Sequence, residues 1–252
     1  MIELNNPIFD HLANHCLRIA SNGNFRSGTG ENKFLITGFP SASYNYVFLT
    51  NLDDGLLETM IVENIPFVCY LHHALASKEE VLEKYGMTKL GNVTGHELTD
   101  LSSFSYIPSE KIEIKKIISD EDLAALDNIS HICFKHEQGF ARDFLHAMLR
   151  NDDCEMFLAF VNGNPVGTGI LSLINDEAGL YRLAVLPEYR KVGVGSELVK
   201  FRINRAKEKG YDRVFSQNFE ASKSMFRKLG FRPVVDLPLY VYVPKMDEEK
   251  IR

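Results

Sequence analysis

Residues 183–198 read LAVLPEYRKVGVGSEL: an apolar run, a turn holding Gly193 and Gly195, and a stretch suited to helix immediately after it. Glycines at 193 and 195 let the backbone come close to a ligand and adopt φ values that other residues avoid. The amides of Lys191 to Ser196 would then point outward at the start of a helix. Unpaired N–H groups there, together with the helix dipole, make an anion site sized for a pyrophosphate. Arg190 and Lys191 add positive charge at its rim. Other phosphate loops are excluded: there is no G-K-[ST], and Leu198 stands where a dinucleotide fingerprint wants its third small residue. In isolation, two glycines make an ordinary tight turn, so the reading rests on the elements around them.

Those elements form an alternating series. Lys111 to Ile118 alternates like a strand, and Ser119 is a helix N-cap followed by three acids, with Leu123, Leu126 and Ile129 inside. A second helix is expected over Gly139 to Arg150, with Phe140, Phe144, Ala147 and Met148 as its apolar face. MFLAFV (156–161), the turn Asn162-Gly163-Asn164 and the run Val166 to Ile174 form a hairpin signal. Glu177 to Val185 reads as a strand, Gly195 to Gly210 as a helix, and 212–217 as a short strand. Ser222 to Leu229 reads as a short helix, and Pro233 to Tyr242 as one or two closing strands. The order implies a mixed α/β sheet.

With that context, 183–198 resembles motif A of the GNAT acetyltransferases, [QR]-x-x-G-x-[GA] after a strand, filled here by Arg190, Gly193 and Gly195. ASKSMFRKLGF (221–231) resembles the family's next helix and its K-L-G-F ending, and the likeness extends over about Ile112 to Tyr242. The resemblance implies an α+β fold: a mostly antiparallel sheet flanked by helices, its fourth and fifth strands splayed around acetyl-CoA, the acyl donor. It implies that the backbone of Leu183, Ala184 and Val185 holds the pantetheine arm as an added strand would. Arg190 and the amides of Lys191, Val192, Gly193, Val194, Gly195 and Ser196 would hold the pyrophosphate. Residues around Ser222, Met225 and Phe226 would line the far side of the cleft. The implied activity is N-acetyl transfer to an amine of a small molecule or peptide, by direct attack in a ternary complex.

Such a transfer moves two protons: an ammonium with a pKa near ~10 must lose one, and a thiolate with a pKa of roughly 8.5 gains one. Many relatives donate the second from a tyrosine at the position held here by Phe226, which has no proton to give. Three readings stay open: another hydroxyl serves, Tyr181 or Ser222; water serves; or the domain is a non-catalytic acyl-CoA-binding or regulatory module. Glu177 and Tyr181, four apart on one strand, share a face that should also carry Leu183. Glu177 is thus a candidate to polarise the amine, against the plain alternative of a solvated hairpin carboxylate. For Tyr181 the plain alternative is a packed sheet tyrosine.

The remaining features exclude more than they assign. The net charge of −6 gives no global attraction to nucleic acid, and no stretch nears the ~20 apolar residues of a membrane span. Cys16, Cys69, Cys133 and Cys154 are scattered without a C-x-x-C pair, which suits buried thiols in the cytoplasm. His11 and His15, and His131 and His136, lack the companions of a metal site, so no metal is expected. Oligomeric state is open, a homodimer included.

The polar segment 102–109 around Pro108 divides the chain into an N-terminal α/β domain, 1–108, and the acetyltransferase domain, 109–252. In the first part Ser41 to Thr50 and Phe67 to Leu71 read as strands, Lys78 to Tyr85 as a helix, and Arg26 to Gly30 as a flexible polar loop. Ile65 to Leu71, Glu79 to Met87 and Gly95 to Leu101 resemble the closing half of the same family, with KYGM standing where KLGF stands later. That suggests a degenerate copy, against an unrelated α/β extension.

Overall fold

The computed structural model describes residues 6–52, 55–135 and 142–244. It begins with helix α1, Pro7–Gly23, where Asn6 accepts a hydrogen bond from the Phe9 amide and Pro7 takes the first turn. Strands β1 (Arg26–Thr29), β2 (Lys33–Ile36) and β3 (Tyr46–Leu49) follow, then α2 (Leu56–Val62), β4 (Phe67–Leu71), α3 (Glu80–Lys84) and the long β5 (Thr88–Thr99). The second half opens with β6 (Glu113–Lys116), α4 (Asp120–Phe134) and α5 (Arg142–Leu149). Next come the meander β7 (Cys154–Val161), β8 (Asn164–Ile174) and β9 (Glu177–Val185). The chain closes with α6 (Val194–Glu208), β10 (Arg213–Asn218), α7 (Glu220–Lys228) and β11 (Arg232–Tyr242). Ser119 caps α4 as expected, and Asp122 returns the bond to complete a capping box. Gly139, Phe140 and His136 lie outside the described residues. Arg26 to Thr29, expected as loop, is instead an edge strand paired to β2.

All eleven strands join one sheet in the order β1-β2-β3-β4-β11-β5-β10-β9-β8-β7-β6. Its parallel neighbours are β3 with β4 and β9 with β10, and every other described pair is antiparallel. The order is nearly symmetric about the β5–β11 pair. On each side a meander of three strands crosses through a helix, α2 or α6, to a parallel neighbour, β4 or β10. The last strand of each half then crosses over: β5 pairs with β10, and β11 pairs with β4. The sheet therefore continues across the 102–109 segment, which lies against α6. Lys207 Nζ donates there to the carbonyls of Ser102 and Phe104, and Glu197 accepts from Tyr106 Oη and the Ser109 amide.

Three apolar layers result. One packs α1, α4 and α5 on the face shared by both halves, one packs α6 and α7 on the other face of the second half, and one packs α2 and α3 on the first half. Glu155, buried in β7, gathers Lys116, Arg205 and Lys209 and fastens β6 and α6 to the meander. Burial raises its pKa, but hydrogen bonds from Arg205 and Lys116 outweigh that and hold it at about 2.

Candidate functional site

The glycine turn folds as its sequence demands. Lys191 and Gly193 both take positive φ, 64° and 99°, which swings the chain from the end of β9 into α6. No side chain caps α6, so its first-turn amides are left for a ligand or water. At Gly195 a Cβ would make ordinary contact with Met225 Sδ at 3.5 Å and Val185 Cγ2 at 3.7 Å, which sets this position between β9 and α7. Arg190 Nε donates to the Val185 carbonyl at 2.9 Å, and Cys133 Sγ lies 3.3 Å from the same oxygen. That carbonyl already has two protein partners.

The strands separate where the cleft should be. β9 and β10 pair at Ala178–Val214, Gly179–Phe215 and Leu180–Ser216, and the ladder stops there while β9 runs on to Val185. On its other edge β9 is bulged: Ala184 faces Thr168, but Tyr181 faces Ile170. Arg182, at φ 48°, absorbs the extra residue. Arg202, fully buried in α6, reaches into this break and donates to the carbonyls of Ile170 (2.8 Å), Tyr181 (3.2 Å) and Leu198 (2.9 Å). Burial lowers its pKa to about 9. The bulge also flips the alternation of side chains. Tyr181, Ala184 and Leu186 join the α1–α4–α5 layer, whereas Leu183 and Val185 join the α6–α7 layer. The expectation that Tyr181 and Leu183 share a face is thus corrected, because the strand is irregular between them.

Behind the splay lies a cavity of about 440 Å³ at the seam of the halves. Arg182, Leu183, Ser216, Asn218, Ser222 and Phe226 enter it from the second half; His15, Tyr46 and Tyr70 enter from the first. Tyr181 lines it with its hydroxyl tied off. Its O–H donates to His11 Nδ1 at 2.6 Å, because His11 Nε2–H donates to the Glu177 carbonyl at 3.1 Å. The His15 ring stacks on Tyr181 with centroids 4.4 Å apart, and its Nδ1 pairs with Ser172 Oγ at 3.0 Å. Burial lowers His11 to about 4 and His15 to about 3, and it raises the Tyr181 phenol well above its ordinary value.

Ser222 Oγ donates to the Phe219 carbonyl at 3.1 Å at the start of α7. Phe226 is packed edge-to-face on Phe231, 2% exposed, with part of its ring on the cavity wall. Glu177 is not brought to the cleft. Its carboxylate meets Arg213 at 2.7 Å and lines a separate polar hollow of about 310 Å³ with Asp10 and Asn14. Burial raises its pKa, with Arg213 opposing. The contributions of α1 and of Tyr46 and Tyr70 were not found from sequence, since they depend on strand exchange rather than local pattern. Among the described residues no group of three His, Cys, Asp or Glu could hold a metal, and no helix is long and apolar enough to cross a membrane.

Comparison with known proteins bears on the family and the fold. Residues 121–231 match the model of the acetyltransferase (GNAT) family. A Bacillus subtilis protein provisionally named an acetyltransferase is 29% identical over 123 residues, 48% of this chain and 84% of its own. The ribosomal protein bS18-alanine N-acetyltransferase of Haemophilus influenzae is 32% identical over 91 residues, covering 34% of this chain and 62% of its own. Among solved structures, a GCN5-related N-acetyltransferase from Kribbella flavida superposes with a TM-score of 0.67 at 15% identity, over 91% of this chain and 94% of that one. A tandem GNAT protein from the clavulanic acid biosynthesis pathway gives 0.55 at 12% identity, over 96% of each chain. The last two matches run through both halves of the sheet.

Proposed function

We propose that this chain, whose residues 121–231 belong to the acetyltransferase (GNAT) family, moves an acetyl group from acetyl-CoA to the amine of a small acceptor held at the seam of its two halves. One observation carries the reading: an uncapped, glycine-lined helix start lies beside two strands that part in front of a cavity. The residues present fit the donor. The amides of Lys191 to Ser196 suit its pyrophosphate, and the free edge of β9 from Leu183 offers backbone to its pantetheine.

The amine nitrogen bonds to the thioester carbon, the C–S bond breaks, the sulfur leaves as thiolate, and nitrogen sheds a proton. Cavity-lining groups offer little base strength near neutrality. His15 is held near 3, His11 behind Tyr181 near 4, and no Asp or Glu is among the described lining residues. Tyr181, its own proton committed to His11, and Gln217, whose side chain meets the Tyr181 oxygen, are the polar groups placed to orient the amine. Deprotonation is then left to solvent. A thiolate of pKa roughly 8.5 leaves without a strong acid, which accommodates Phe226, and Ser222 is the hydroxyl at hand.

The expected result is acetyl-CoA-dependent thiol release whose log kcat/KM climbs with slope one as pH rises toward the acceptor's own pKa. A plateau beginning between pH 6 and 8 would reveal an enzyme base that this scheme omits. The alternative, a non-catalytic acyl-CoA-binding module, is favoured by the apolar packing of Phe226; acetyl-CoA binding without turnover across a broad amine panel would select it.

We further read residues 1–108 as a degenerate copy of the same unit. The support is the matching order of meander, crossover helix and exchanged strand on both sides of β5–β11.

A further inference from the structure

The cavity's charge is one-sided. Among the described residues that line it, Arg182 is the one Arg, Lys, Asp or Glu, and the rest are apolar, aromatic, amide, hydroxyl, thiol or imidazole groups. Its guanidinium lies 5.5, 5.6 and 5.9 Å from the ring centres of Tyr44, Phe144 and Phe134. Aromatic faces stabilise the charge but accept no in-plane hydrogen bonds, so an anion would compete only with the neutral groups around it for the N–H donors that face the cavity. The hydroxyls of Tyr44 and Tyr46 engage the guanidinium and Nε is buried, so a carboxylate would be met by the terminal N–H groups on the cavity side. Asp127, which also acts on Tyr44, does not line the cavity. The backbone holds Arg182 at φ 48°, a conformation a non-glycine residue keeps only where its surroundings impose it.

From this we infer that the acceptor carries a carboxylate close to its amine, gripped by Arg182, on an apolar or aromatic body: the chemistry of a hydrophobic α-amino acid. The inference rests on the acetyl-transfer reading and names its substrate class. Arg182 immediately precedes Leu183, where the thioester arm is expected. A carboxylate held there keeps a nearby amine beside the Tyr181 hydroxyl, whereas an amine many bonds away would overshoot it. A polyamine or an aminoglycoside would instead set further cations against Arg182 with no described carboxylate on the walls to receive them.

The test uses matched pairs that differ in the carboxylate alone: L-phenylalanine against 2-phenylethylamine, and L-leucine against 3-methylbutylamine. Thiol release with acetyl-CoA is compared at equal concentrations of neutral amine. A melting-temperature shift with CoA present gives a second readout. The full-length protein should favour the acid of each pair at least about tenfold. The acid-to-amine ratio should fall about 30-fold in Arg182→Gln and less in Arg182→Lys. Preference for the decarboxylated member, a ratio unmoved in Arg182→Gln, or no response to either acid in both readouts would overturn the inference. Titration of the same samples with acetyl-CoA reports folding and separates the two failures. Donor binding with no carboxylate effect leaves the transferase reading standing, while absent donor binding removes the transferase reading itself.

Discussion

The two halves of the sheet repeat one plan and differ at its parallel junction. β3 and β4 stay paired from Tyr46–Val68 to Leu49–Leu71, the whole length of β3, and β2–β3 has no register shift. β9 and β10 part after three pairs, and the β8–β9 ladder is bulged just where they part. The connecting sequences diverge in the same way. After β9 come Arg190, Lys191 and Gly193, with Gly195 in the first turn of a 15-residue helix; after β3 the sequence reads Asp53, Asp54 and Gly55 before α2, which is seven residues long. Two aspartates in that part of the sequence would repel a pyrophosphate, and a closed ladder admits no pantetheine. In the degenerate-copy reading, the first half has exchanged a cofactor cleft for a wall. Its α1, β3 and β4 carry His15, Tyr46 and Tyr70 into the second half's cavity.

If the bulge makes that difference, removing its prop should hurt most. Arg202→Met leaves three backbone carbonyls without their buried donor, at a cost of about 2–5 kcal/mol. That corresponds to a fall in Tm of roughly 5–15 °C with loss of acetyl-CoA turnover. A variant with the wild-type Tm and turnover would mean that the open ladder does not depend on Arg202.

The seam between the halves offers a second, pH-dependent test. His11 and His15 titrate near 4 and 3 when folded but near 6.5 when unfolded, so between these values the unfolded chain binds protons that the native state does not. Stability is therefore intact above pH 6.5 and declines as pH falls toward 4, by up to about 1.4 kcal/mol per pH unit for each histidine. Denaturant unfolding of His15→Asn should give a shallower slope between pH 6.5 and 4.5. Parallel slopes would place the ring in water when folded, and the seam would be open.

The smallest effect is expected outside the cleft. Glu177→Gln loses a partly exposed ion pair with Arg213, worth under about 1 kcal/mol, and should keep kcat/KM within about threefold. A hundredfold loss would restore Glu177 as the base.

Much of the second half was legible because its signals are local. Asn162-Gly163 marks the hairpin, Ser119 the cap of α4, and Glu177 to Val185 a strand whose ends the structure reproduces. The glycine turn is equally local: Gly193 between a strand and a helix, and Gly195 in that helix's first turn. Arg182 is different, since nothing in its side chain announces a positive φ, and a regular alternation was read through it onto Leu183. α1 was missed although Asn6 and Pro7 mark its start, since His11, Asn14 and His15 interrupt its apolar stripe; their partners are remote in sequence. The exchange of β5 and β11 pairs Gly95 with Val235, a contact no periodicity encodes.

The central claim is that the turn at Arg190 to Ser196 holds the donor's pyrophosphate, and calorimetric titration with acetyl-CoA tests it most directly when repeated on Gly193→Glu. At φ 99°, glutamate is strained and also brings a carboxylate to the anion site. Micromolar binding by the wild type, weakened at least about 100-fold in the variant, is the predicted result. Equal binding by both, or none by the wild type, would contradict it.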